Sequence, residues 1–192
     1  MNTMLDLFDR PVVPGLAMRT DIITAEEEAA LIARIDDTSL SPFRFQQWTG
    51  KRLTYSYGWS YDFERGIFAP TEPIPDWLAE VKARAAMFAG FAPDDLVQAL
   101  LIRYDPGAGI GWHKDRLVFE HVVGISLGND ATLRLRRRCE RGFERASAGL
   151  APRSVYRLSS EVRHDWEHSI APMDQPRWSI TFRSLSEKGR RA

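Results

Sequence analysis

In the stretch GIGWHKD, residues 109–115, a histidine and an aspartate stand two positions apart. The neighbouring glycines and apolar residues read as a loop entering a β-strand. Alternate side chains of a strand share a face, so His113 and Asp115 would project together with Lys114 opposite. A neutral imidazole beside a carboxylate supplies two-thirds of a metal site. The third candidate is His168 in DWEHSI, 53 positions beyond Asp115. Two histidines and one carboxylate on one side of an ion, with the opposite positions open, suit non-haem iron(II) oxygen chemistry. Iron is preferred over zinc because that chemistry needs room for both a cosubstrate and O2.

A rival metal reading uses HDWEH, His164 to His168, which fits the H-x-x-E-H zinc-peptidase pattern with Glu167 as base. That pattern needs a helix to bring both histidines to one face and an acidic ligand well downstream. Only 24 residues follow His168, Glu187 is their one glutamate, and Pro172 stands where a helix would run. The reading is therefore the weaker one.

Elements must position these ligands. TAEEEAALIARIDD opens with Thr24 and Glu27 in capping-box spacing and continues with Leu31, Ile32 and Ile35 as an apolar helical stripe. A second helix is expected from Pro75 to about Phe88, burying Trp77, Leu78, Val81 and Ala85. Between them YSYGWSYDF alternates, placing Tyr55, Tyr57, Trp59, Tyr61 and Phe63 on one face of a strand. From Leu96 onward, VQALLIRY, HVVGISL, ATLRLRRR, SVYRLS and RWSITFRSL are short strands separated by DPGAG, GND and CERGFERASAGLAPR, which read as turns and connections. Successive strands without helices between them imply an antiparallel sandwich or barrel, a jelly roll being the commonest with an open mouth.

The final strand RWSITFR carries Arg177, Ser179, Thr181 and Arg183 on one face and Trp178, Ile180 and Phe182 on the other. A polar face of this kind could line a pocket for an anion. The two arginines lie about 20 Å apart along a straight strand, so they could bracket a small dicarboxylate only by leaning together or on a curved strand.

Composition adds limits. The chain has 192 residues, enough for one core, and 26 basic against 26 acidic residues, so any basic surface must be a local patch. Cys139 is the single cysteine, which removes an intramolecular disulfide and a cysteine-based zinc site. The first residues lack a basic region followed by an apolar run, and no stretch approaches the roughly 18 apolar residues of a membrane span. A soluble, cytoplasmic, monomeric protein is the expectation.

LIRYDPGAGIGWHKD, then WEHSI, then RWSITFR, in this order, resemble the AlkB-type iron(II)/2-oxoglutarate dioxygenases over roughly residues 96–185. The resemblance implies a mostly β fold with flanking N-terminal helices, the double-stranded β-helix or jelly roll. Residues 1–95 would be an extension with helices and an aromatic substrate-recognition lid, and 96–192 the catalytic core, within one structural domain overall. His113, Asp115 and His168 would hold Fe(II), and Tyr104, Arg177 and Arg183 would bind 2-oxoglutarate as cosubstrate with O2. The implied reaction removes N-methyl groups from alkylated nucleic-acid bases, releasing formaldehyde, succinate and CO2, as in DNA repair. The alternative is the same chemistry on a protein side chain or small molecule. The chain departs from the family's repair members at Ile102, where they have Asn, and at Leu117, where they often have an acid. Ser179 replaces a frequent Asn.

For a substrate, the aromatic strand offers a stacking platform for a flipped base, with Trp59 and Tyr57 the candidates and Arg52 of GKR adding charge beside it. Its bland reading is sheet packing. LRLRRRCERGFER puts Arg134, Arg136 and Arg138 on one strand face, with Arg141 and Arg145 in the turn beyond. They suit phosphates, although Glu140 and Glu144 among them suit a solvated mixed-charge face equally well. The partner implied is a single-stranded or alkylated nucleic acid.

Overall fold

A computed structural model of the chain describes residues 12–45, 48–62 and 65–191. In chain order the elements are β1 Leu16–Arg19, α1 Ala25–Asp36, β2 Ser41–Phe45, β3 Trp48–Tyr57, β4 Trp59–Asp62, β5 Ile67–Pro70 and α2 Ala79–Ala89. They continue with β6 Gln98–Tyr104, β7 Ile110–His113, β8 Phe119–Leu127, β9 Ala131–Cys139, β10 Gly142–Leu150 and β11 Val155–Leu158. The last are α3 Ser160–His164, β12 Glu167–Ile170, β13 Arg177–Leu185 and α4 Glu187–Arg190.

Thr24 caps α1 as its sequence dictates: the Glu27 amide donates to Thr24 Oγ1 at 3.2 Å and the Thr24 amide to Glu27 Oε2 at 2.7 Å. Leu31 and Ile35 are buried, and so is Glu28, which accepts from the Gly128 amide at 2.8 Å and from Arg153 at 3.1 Å. The expected second helix begins later than Pro75, with a 3-10 turn at Asp76–Leu78 preceding α2.

The seven-stranded sheet runs β1-β11-β8-β13-β6-β3-β2, faced by a four-stranded sheet β10-β9-β12-β7, while β4 and β5 form a separate hairpin. All the pairings are antiparallel, the arrangement of a jelly roll. Strands from before residue 95 share the large sheet with those after it, since β3 pairs β6 and β1 pairs β11. Alternation divides that sheet's two faces. Val123, Ile125, Leu127, Ile180 and Phe182 face outward into a core with Ile35, Leu78, Val81 and Ala85 of the helical layer. Val122 and Tyr156 face inward and pack with Leu133, Leu135 and Leu150 of the small sheet.

Several strands escape the sequence pattern, the hairpin strand β5 among them. β10 occupies GFERASAGL, expected as a connection, and pairs with all of β9 from Gly142–Cys139 to Leu150–Ala131. Only Ala148 and Leu150 of β10 are buried, so it carries almost no apolar alternation. β1 and β2 are edge strands of the large sheet and leave a similarly faint signal.

Candidate metal centre and cosubstrate pocket

His113 ends β7 and His168 lies in β12, directly opposite each other in the antiparallel register, and both point between the sheets. Their rings approach to 4.2 Å between centroids. The strand argument for Asp115 needs correction, because β7 stops at His113 and Asp115 follows in a loop. Other contacts bring its carboxylate inward. Arg183 donates to Asp115 Oδ1 through Nε at 2.8 Å and Nη2 at 2.7 Å, and to Gln98 Oε1 through Nη1 at 2.8 Å. Arg163, 2% exposed, donates to three backbone carbonyls of the same loop: Asp115 at 3.3 Å, Arg116 at 2.8 Å and Phe119 at 2.6 Å. One ligand atom from each of His113, Asp115 and His168 falls within 4.8 Å of the others.

Protonation suits a cation. Burial pushes His168 down to about 3, with His113 adding to the shift, and burial likewise lowers His113. Burial alone would raise the Asp115 carboxyl, yet Arg183 and the two histidines hold it well below the usual carboxylate range. His113 Nδ1 lies 2.9 Å from the Gly111 carbonyl, which selects the tautomer with the proton on Nδ1 and leaves the Nε2 lone pair for a metal. Two neutral imidazoles and one carboxylate with no thiolate form an N/O donor set appropriate to Fe(II).

The recess beyond the triad is built on β13 and β6. Arg177, Ser179, Thr181 and Arg183 all point inward and are buried, so the alternation in RWSITFR holds along the strand. Arg177 is fully buried beside Tyr104, its cross-strand partner, with its guanidinium carbon 5.3 Å from the Tyr104 ring. It donates to Ser126 Oγ through Nε at 3.3 Å and Nη2 at 3.0 Å, whereas Nη1 has no hydrogen-bond partner. A buried guanidinium with an unsatisfied N–H is costly alone and fits an incoming carboxylate. Ile102, Tyr104 and Ala108, with Leu100, Ile110 and Met173 packed on them, form the apolar wall. Tyr156, its hydroxyl pushed up to about 12 by burial, packs over Gly124, where a Cβ would overlap its ring.

The substrate candidates separate. Arg52 is 7% exposed, stacks over Phe43 at 3.8 Å and loses basicity chiefly to burial, with Arg183 contributing. The β3–β6 register puts it on the inward face with Tyr104. The same register puts Tyr55 and Tyr57 on the outward face, packed on the helical core, so Tyr57 is not brought to the recess. Gly58 at φ 77° ends β3 and resets the alternation, which breaks the expected aromatic strand in two. Trp59 beyond it stacks on Phe68 at 4.7 Å, Phe68 meets Phe119 edge-on at 5.4 Å, and Arg183 lies 5.4 Å from the Phe119 ring. This chain of rings leads from the hairpin to the metal ligands. Phe63 lies outside the described residues.

HDWEH cannot form the helical zinc pair. α3 ends at His164, and His168 already belongs to β12. His164 Nε2 lies 3.1 Å from Glu120, and Glu167 pairs with Arg136 at 2.6 Å. Arg163 had no local signal in the sequence, since its role depends on carbonyls 44 or more positions earlier.

The family model of the 2OG-Fe(II) oxygenase superfamily matches residues 21–191. The chain belongs to this superfamily. The oxygenase is 26% identical over 170 residues to the Xenopus tropicalis tRNA (carboxymethyluridine(34)-5-O)-methyltransferase alkbh8, covering 83% of this chain and 25% of that protein. It is 25% identical over 184 residues to the Arabidopsis thaliana alkylated DNA repair protein ALKBH8 homolog, covering 82% and 51%. It thus spans between a quarter and about half the length of these relatives. Among solved structures, OsALKBH1 superposes with a TM-score of 0.70 at 13% identity, over 91% of this chain and 99% of that one. A Pseudomonas putida prolyl-4-hydroxylase follows at 0.61 and 14%, over 90% and 93%. The oxygenase is similar to AlkB-type relatives; it has the double-stranded β-helix fold, and its superfamily implies Fe(II), 2-oxoglutarate and O2.

Proposed function

We propose that this oxygenase removes N-methyl groups from alkylated bases of single-stranded nucleic acid, yielding formaldehyde, succinate and CO2, in the cytoplasm and as a monomer. This is a nucleic-acid repair activity. The observation that carries it is the half-buried His113–Asp115–His168 cluster between the sheets, with Arg177 on the inward face of β13 and its Nη1 without an acceptor. Fe(II) with 2-oxoglutarate and O2 supplies the oxidising power to break a C–H bond, which no side chain can do.

The chain's own residues do the positioning. His113 and His168 would present neutral nitrogens, and Asp115 would present a carboxylate that Arg183 keeps ionised and aimed. Arg177 would take the far carboxylate of 2-oxoglutarate, with the Tyr104 hydroxyl as neighbour; Ile102 offers no polar contact there. Trp59 would present a face to a base at the mouth, and Arg52 would set a positive field beside it. The names of the relatives, one a tRNA methyltransferase and one an alkylated DNA repair protein, support a nucleic-acid substrate.

The test is succinate release from 2-oxoglutarate by protein reconstituted anaerobically with Fe(II), on admitting O2, with and without an N-methylated single-stranded oligonucleotide. Stimulation by the oligonucleotide, formaldehyde in equal amount and loss of both in His168→Ala are the expected results. Succinate that no oligonucleotide stimulates would move the substrate to a protein side chain or small molecule. No succinate under any condition would overturn the reading.

A further inference from the structure

The outer face of the small sheet carries an array that the cavity does not use. Alternation brings Arg134, Arg136 and Arg138 of β9 onto it, with Phe143 and Arg145 of β10 beside them and Trp112 of β7 on the far side. Arg145 is therefore a strand residue of this face and not part of a turn. The guanidinium of Arg136 lies 4.5 Å from the rings of both Trp112 and Phe143. Arg134 lies 5.2 Å from Trp112, and Arg138 and Arg145 lie 5.7 and 5.6 Å from Phe143.

Of the two acids that blurred the pattern in the sequence, Glu140 lies in the turn between β9 and β10, and alternation takes Glu144 off the face. Glu144 faces the opposite way and binds Arg137, which Glu161 also holds. Among the described residues Glu167 is the one carboxylate paired with the array, through Arg136. Among the described residues no carboxylate lies within 4 Å of Arg134, Arg138 or Arg145. Arg145 sits directly across from Arg136 in the ladder, and like charges in that position repel. Three of the four arginines of this face thus have no carboxylate partner among the described residues.

We propose that this face binds the sugar-phosphate backbone of a single-stranded nucleic acid, with Trp112 and Phe143 offering ring faces to bases. This rests on the nucleic-acid reading of the cavity and extends it to a second surface. Alternate residues on a strand repeat at about 6.8 Å, comparable to the separation of successive phosphates along an extended strand. A guanidinium stacked on a ring keeps its edge donors free for a phosphate oxygen. The array also ends in the right place. Trp112 stands on β7, the sheet's edge strand, adjacent to His113 on the inner side, so a strand crossing β10 and β9 would arrive at the rim of the metal centre.

The test compares the wild type with Arg138→Gln/Arg145→Gln, neither residue touching the cavity, by anisotropy of a labelled, unmodified oligothymidylate about 15 nucleotides long across a salt series. The double variant should bind on the order of tenfold more weakly, with its log–log salt slope shallower by about 1.4. Arg138→Lys/Arg145→Lys should keep most of the slope. Wild-type affinity and slope in the Gln variant would overturn the proposal. So would equal wild-type binding to polyglutamate or to anionic vesicles, since the face would then answer only to charge. Succinate release on a free methylated nucleoside should be the same in wild type and the Gln variant. Its loss from the wild type would count against the cavity reading, whereas unchanged oligothymidylate binding in the variant would count against this surface alone.

Discussion

The two ends of β13 present the same side chain in opposite conditions. Arg183, at one end, has its donors spent on Asp115 and Gln98. Arg177, six residues back, is more deeply buried and keeps Nη1 unmatched. The first is committed to the protein's own polar groups, and the second keeps a donor without an acceptor among the described residues. Two arginines that look interchangeable in RWSITFR thus divide into one whose donors hold Asp115 and Gln98 and one with a donor left over.

Removing each arginine in turn should break this symmetry. Arg183→Met leaves Asp115 charged, buried and unpaired, and should cost about 3–5 kcal/mol of stability, read by denaturant unfolding. Added Fe(II) should restore part of that loss because a cation replaces the missing positive charge. Arg177→Met should leave stability nearly unchanged and raise the KM for 2-oxoglutarate, about tenfold to a hundredfold for a charge-assisted contact of ~1.5–3 kcal/mol, with no rescue by Fe(II). Equal stability losses in the two variants would erase the distinction.

A surface ion pair sets the small end of the scale. Glu27 is lowered to about 2 by its hydrogen bond to Arg84 and by the Thr24 amide. Its contribution is fully present above the ordinary value of 4.5 and is lost as pH falls towards 2. Glu27→Gln should therefore lower stability slightly at neutral pH and converge on the wild type as pH falls towards 2, which flattens the acid limb of the stability curve. Any change in cosubstrate KM in that variant would show the helical layer to be coupled to the recess.

Legibility in the sequence followed the range of the interactions involved. The inward face of β13 was readable because alternation operates within one uninterrupted strand, and the capping box because it spans four residues. Tyr57 was misplaced because Gly58, at φ 77°, turns the chain and ends the period that seemed to join it to Trp59. Asp115 reached the triad by another route than the one its spacing suggested: the loop is held by Arg163 and Arg183, contributed from 48 and 68 positions away. β10 was invisible because most of it is solvated and its partner strand, not its own apolar content, makes it a strand.

Gly124 sets a limit of another kind. Tyr156 fills the volume that any side chain at 124 would claim, so the depth of the recess is written in backbone on that side and not in an exchangeable residue. Drift at 124 is closed off, and any change in the shape of the recess would have to come from other positions, such as Ile102, Ser126 or Tyr156 itself. The shape of the recess beside Tyr156 is in this way insulated from mutation at the strand beneath it.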